Sequence, residues 1–588
     1  MSPNVFSSQL SRRNLLRGSA VGLGALAVGP TLAACSGGGD DPNAPAGIDD
    51  VPKIELGPPR TDITYPEGYI GPRAHDRAPF GDGTTTFRVV VPQDATNVGD
   101  WATNATSAEM ERRTGLKIEY VPVLVRGTDG SIDMTKINAM LASGDLPDAF
   151  LGIPFTTAQL SLYGQQGLFV ALDDYIETYA PMTRQAMAEY PDLRGLKVST
   201  DNKLYTMLGV NDCYHCRSSN NRAWISQSYL DKVGGTMPET TDDLRELLLE
   251  FKNQNPSGKP GFLPFASSES TPIDTYFMNA FTYNPGNPGG NRTGGWLRLN
   301  GGTVEFVANT PEWREGLRYL HQLGQDGTLT RAAFSMKDTE LQQNGNKGLV
   351  GFARAYWWGS FFNPINLDMD EPWRDYVAVP PLKGPAGVQY TGWDYYGYYT
   401  DALQITSACS NPELLVQWTD HMMDLEATMW TYAGIKDDNW SFDNSGKGIN
   451  GKSSLFANKL FPAPAGQSWG QYAVMYRSSD FRLGEKVDPS APTFEAGLYE
   501  AGQAYEAYAQ PKEMQLPPLI IADADAAAVA DTATAVTAAV KTGLAQFSLG
   551  ELDPNNDADW QSYTDQFTAM GIDAYLQAHQ TAYESRPA

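Results

Sequence analysis

The chain has 588 residues, room for two to four domains or one large two-lobed body, and carries 43 Lys and Arg against 69 Asp and Glu, a formal net charge of −26. That balance repels a polyphosphate at long range and excludes nucleic-acid binding as a first reading, while 41% hydrophobic residues exclude intrinsic disorder. Charged residues make up only 19%, and 29 Tyr, 23 Phe and 13 Trp stand in their place, so the chain has exchanged ionic surface for aromatics, many with polar tips.

The first element is an export signal. Ser11-Arg12-Arg13-Asn14-Leu15-Leu16-Arg17 is polar and basic, and the apolar stretch 18–32 that follows is too short and too weakly hydrophobic to span a membrane. It ends in Leu32-Ala33-Ala34-Cys35. The paired arginines resemble a twin-arginine export motif and the last four residues resemble a lipobox, in which small side chains let a signal peptidase bind the extended chain. Residues 1–34 are therefore expected to be removed, with three arginines and no acid, which moves the net charge from −26 to −29. The Cys35 thiol is expected to carry the diacylglycerol that holds the protein at the outer face of the cell membrane. Residues 35–83, rich in proline, read as an extended, flexible tether.

Residues 86–91 predict a buried strand, 105–113 a helix stopped by Gly115, and 116–125 a second strand. Residues 133–143 predict a helix closed by Gly144, and 146–151 a short third strand. Strand, helix, strand, helix, strand predicts a parallel sheet with covering helices, whose ligands sit beyond the strands' carboxyl ends. The loops 92–101 and 152–157 are thus candidate site walls. Further along, Leu244, Leu247, Leu248 and Phe251 mark a helix over 240–253. Thr310 as N-cap with Pro311 at N1 opens another that runs to Gly324. Helices are also predicted over 522–540 and 560–575, the latter behind a cap-like run, 553–557.

Ser143-Gly144-Asp145-Leu146-Pro147-Asp148, residues 224–244 and 313–329, Asn411-Pro412-Glu413 and residues 550–575 together resemble, in order, the extracellular solute-binding lipoproteins of carbohydrate ABC importers, in the large LplA-like branch. The resemblance covers roughly residues 84–585. It implies an α/β, two-lobed periplasmic-binding-protein-like fold of type II, each lobe a mainly parallel sheet flanked by helices, joined by crossing hinge segments. The expected division is lobe 1 over 84–215, lobe 2 over 216–385, a return to lobe 1 over 386–440, and a C-terminal helical part, 441–588, completing lobe 2. It further implies a monomer without catalysis or cofactor that closes on a sugar or oligosaccharide and delivers it to a membrane permease. Larger members of this branch often carry a calcium-loop-like stretch after the 240–253 helix. Here residues 253–260 hold no carboxylate, so no metal is expected.

Two windows hold much of the aromatic excess: residues 352–362, with Arg354, Trp357 and Trp358, and residues 390–399, with Trp393, Asp394 and Tyr395. Aromatic faces suit the C–H faces of pyranoses, and phenols, Arg and Asp suit their hydroxyls, although such runs also pack cores. Asp100 and Trp101 follow the first strand, Asn220 and Arg222 lie where the chain should cross between lobes, and Trp440 follows two acids. These are the expected ligand-binding residues. Cys213 and Cys216 read as a local disulfide rather than half a zinc site. The same composition would serve a secreted carbohydrate-active enzyme, or a binder of peptides or other small solutes.

Overall fold

Val89, Val90 and Val91 are all fully buried, as a strand covered on both faces requires. They belong to β1 (Thr86–Pro92), which pairs in parallel with β2 (Lys117–Val123) and with β3 (Ala149–Leu151). The connecting helix Ala105–Thr114 begins where the Asn104 side chain accepts the Thr106 N–H, and ends at Gly115 with φ of 73°. Gly144 closes the helix Thr135–Ser143 in the same left-handed conformation. This first stretch therefore folds as its alternation predicts. These are features of a computed structural model that describes residues 51–125, 132–286, 295–364, 368–490 and 492–586; the export signal, Cys35 and residues 36–50 lie outside the described residues.

After β4 (Met207–Asn211) the chain crosses through the tight helical turn His215–Asn221 and builds a second sheet. It contributes β5 (Ala223–Ser226) and β6 (Leu263–Ala266), a separate hairpin of β7 (Leu297–Asn300) and β8 (Thr303–Phe306), then β9 (Val350–Arg354) and β10 (Tyr376–Val379). The second sheet has the order β10-β5-β9-β6, with β6 and β9 parallel and β5 antiparallel to β9. The chain then returns: β11 (Tyr399–Ile405) slots antiparallel between β3 and β4. The ribbon β12 (Trp440–Phe442) with β13 (Phe456–Asn458) follows, and β14 (Tyr476–Arg477) pairs in parallel with β4. The first sheet thus reads β14-β4-β11-β3-β1-β2. Two mainly parallel sheets joined by crossing segments are the type II two-lobed fold.

Three boundaries differ from the expectation. The third crossing falls at residues 488–493 and not at 440, because β14 belongs to the first sheet. The helix over 560–575 is two helices, Asp557–Ala569 and Ile572–Ser585, parted by Gly571 with φ of 84°. The tether expected to reach residue 83 is bound to the first lobe from Ile54 onward. The Ile54 N–H donates to the Thr178 carbonyl at 2.8 Å, and the Phe80 and Gly81 N–H groups donate to the Thr114 carbonyl. Ile63, Tyr69 and Ala74 share one apolar cluster with Trp440 and Phe456. Prolines keep this stretch extended, and an extended strip can lay alternate apolar side chains on a neighbouring surface.

Tyr69 offers the test. Its ring is buried and its hydroxyl donates to the Pro72 carbonyl at 3.0 Å. Tyr69→Ala should cost about 3 kcal/mol in denaturant unfolding, as aromatic truncations in cores do; a free tether would show no change.

Candidate functional site

Strand direction locates the site. β4 runs into the first crossing, so its carboxyl end lies at the junction between lobes. β5 begins as that crossing ends, and Ala223 pairs with Arg354, the last residue of β9. The carboxyl ends of both sheets therefore face the crossing segments, and the loops beyond them form the walls: 93–101 and 152–157 from the first lobe, 267–275 and 355–361 from the second. In the first lobe, the Tyr472 hydroxyl donates to Asp94 at 3.0 Å, and Gly152 lies so near Tyr472 that a Cβ there would meet it at 3.1 Å. One tyrosine thus ties the two wall loops together.

The floor is built from amides. The buried Gln510 side chain accepts the Trp393 N–H at 2.8 Å and donates to the Trp393 carbonyl at 2.9 Å. Gln515, also buried, accepts the Tyr395 N–H at 2.8 Å and donates to Asp394 at 3.0 Å. From the first crossing, Asn221 donates to the Gly392 carbonyl at 2.7 Å, and a Cβ at Gly392 would collide with that amide at the same distance. Cys213 and Cys216 are bridged at the start of the first crossing, with Cα atoms 5.1 Å apart. A cavity of about 490 Å³ lies apart from these walls and floor, between the turn that precedes β4 (Ser199, Thr200, Asn202) and the end of the C-terminal helix (Thr581, Arg586), with Leu519 and Ile520 between.

The expected residues divide sharply. Trp101 and Trp440 are core rings whose indole N–H groups donate to the Pro92 and Gly434 carbonyls, so neither reaches the cleft. Trp358 is likewise packed between Trp224 and Trp373 with its N–H on the Tyr376 carbonyl. Arg222 is buried and donates to the His215 carbonyl and Ser218; it holds the crossing turn and does not meet solvent. Asp100 is exposed but caps its own turn through the Ala102 N–H. Trp393, Asp394 and Tyr395 belong to the floor, and the buried Trp393 ring meets Tyr214 edge-on. Arg354 lies wholly buried behind the wall, donating to Thr275 and the Asn220 carbonyl, with its guanidinium 4.9 Å from the Tyr356 ring centre. Asn220 is half-buried in the crossing turn. Trp357 remains half-exposed on the wall, beside Tyr356.

Several site residues were not singled out from the sequence. Tyr356 lay inside an aromatic window without distinction, while Gln510 and Gln515 sit in a Pro-rich run that has no periodicity. Tyr472 follows a Gly-containing loop and becomes notable only through Asp94.

Charge is also buried at the hinge. Glu495, in the first turn of the helix Phe494–Glu506, accepts from Arg482 at 3.2 Å and faces His215 Nε2 at 3.5 Å. Arg482 also reaches the Asn211 side chain at 2.8 Å. Burial pushes His215 down to about 3 against the pull of Glu495, and burial pushes Glu485 up to about 7. The unfolded His215 takes up a proton first, so its contribution is present above pH 6.5 and is lost as pH falls towards 3. Glu485 has the opposite sign: its contribution is present below 4.5 and is lost as pH rises through 7. His215→Gln should therefore flatten the acid-side fall of the melting temperature, and Glu485→Gln the decline through neutrality. Parallel pH profiles of variant and parent would refute the assignment.

Comparison with known proteins agrees with this fold. The fructooligosaccharide ABC transporter substrate-binding protein FusA of Streptococcus pneumoniae is 25% identical over 342 residues, which is 56% of this chain and 60% of FusA. Lipoprotein LipO of Bacillus subtilis is 25% identical over 351 residues, 56% of this chain and 63% of LipO, so the matched stretches span about three fifths of these relatives' own length. The structure of FusA in complex with kestose superposes with a TM-score of 0.69 at 21% identity, covering 85% of this chain and 99% of that one. An extracellular solute-binding protein from Bifidobacterium longum subsp. infantis superposes with a TM-score of 0.70 at 17% identity, over 87% and 100% of the two chains. Residues 94–429 match the model of one family throughout, and the chain belongs to it: the bacterial extracellular solute-binding proteins.

Proposed function

We propose that the protein captures a sugar or oligosaccharide between its lobes and presents the closed form to the permease of an ABC importer. The observation that carries this reading is the convergence of both sheets' carboxyl ends on the crossing segments, where the wall loops of the two lobes face one another. Tyr356 and Trp357 stand half-exposed on the second lobe's wall, as flat faces for a sugar ring, with the Tyr356 hydroxyl on the Ser270 carbonyl. FusA, a relative, is a fructooligosaccharide-binding protein seen with kestose, which supports a glycan over a peptide. A binder needs no catalytic pair, and family membership speaks for binding over hydrolysis. Export by the twin-arginine route, lipidation at Cys35, an extracellular position and a monomeric state complete the reading. Ligand shifts the equilibrium between open and closed lobes by its differential affinity for the two.

A panel of oligosaccharides and peptides, read by thermal melting, tests it. A bound glycan at 100 times its Kd should add about 2.7 kcal/mol. Stabilisation by peptides alone, or turnover of the glycan, would overturn the proposal. Trp357→Ala should weaken glycan binding about tenfold with the fold intact, whereas Trp101→Ala should act on stability alone.

A further inference from the structure

A second cavity, of about 580 Å³, opens on the first lobe. None of its lining belongs to the crossing segments or the wall loops. It lies among the N-terminal strip, the last turn of the helix Ala105–Thr114 and the junction between the helices Pro412–Met422 and Leu425–Ala433. Its floor contains His421, which is 3% exposed and has no hydrogen-bond partner on either ring nitrogen. A buried imidazole left unpaired is costly, so the cavity is shaped for something that bonds to it. Burial and the nearby Arg77, Arg113 and Arg112 hold His421 well below its usual range, in the neutral form with one N–H to donate.

Four arginines, Arg60, Arg77, Arg112 and Arg113, line it against two acids, Asp76 and Glu426, in a chain that is otherwise strongly acidic. Arg112 and Arg113 share one carboxylate, Glu109, each at 2.6 Å. Arg60, Arg113 and Lys436 converge on Glu426, and Arg60 also holds the outward-facing Asp62. Arg77 spends one nitrogen on Asp420 at 3.1 Å. Five cations thus share four carboxylates. Of the remaining acids, Asp76 is exposed on the rim, and Asp424 caps a helix and holds His75. Guanidinium groups with unspent N–H edges suit tetrahedral oxyanions, which they grip bidentately.

We infer that this cavity binds a phosphate-type oxyanion, with Arg77, Arg112 and Arg113 around its oxygens and His421 donating from the floor. The anion reaches it as free phosphate or as the headgroup of a phospholipid. This site is independent of the glycan cleft.

The test is calorimetric titration of the full chain with inorganic phosphate at constant ionic strength, set beside a short-chain soluble phosphatidylglycerol. Saturable binding is expected, weakened about tenfold in Arg112→Ala, whose side chain is 67% exposed and whose loss leaves the fold intact. Arg331→Ala, an equally exposed arginine on the other lobe, should bind like the parent. Tighter binding of the lipid identifies a headgroup site, and tighter binding of phosphate a free-anion site. No saturable binding by about 10 mM of either ligand, or equal loss in both variants, would overturn the inference.

Discussion

Backbone hydrogen bonding at the crossing segments is the constraint on which the molecule turns. A segment passing between two lobes has no sheet to pair with, yet its N–H and C=O groups are buried and must be satisfied. Gln510 and Gln515 meet that need by clasping the main chain at Trp393 and Tyr395, and Asn221 does so at Gly392. Amide side chains bond about as well to backbone as backbone does, but they ride on flexible stems. The hinge is thereby specified without being stiffened into a third sheet, and the tight turn after Cys213 fixes where the bending strand begins.

The aromatic excess takes a different meaning in this frame. Trp101, Trp224, Trp296, Trp313, Trp418, Trp440 and Trp469 are all fully buried, so most of the tryptophan is core. Trp101 and Trp469 pack together beneath the first wall, with ring centres 5.4 Å apart. Large buried rings, five of these seven with their N–H bonded, make rigid lobes, and rigid lobes make closure a hinge motion. Trp357 and Tyr356 are left half-exposed on the second lobe's wall.

What was legible in the sequence follows periodicity. Val89–Val91, the Gly115 and Gly144 stops, the apolar spacing from Leu244 to Phe251 and the Thr310 cap are local signals, and the elements they predict form almost to the residue. The windows at 352–362 and 390–399 were visible as unusual, but composition cannot tell a ring facing a ligand from one facing a neighbouring helix. Trp358 is settled by Trp224 and Trp373, residues distant in sequence. Gln510 and Gln515 carry no local pattern, because their role exists only when residues 391–395 lie alongside. The third crossing is hidden in the sequence for the same reason: a two-residue strand such as β14 gives no periodic signal.

In the proposed function, one ligand touches both lobes across the hinge. Amide hydrogen exchange with and without a bound oligosaccharide reads this directly. Protection should appear together in residues 152–157, 355–361 and 391–395. Protection confined to one lobe, with the crossing segment unchanged, would contradict it.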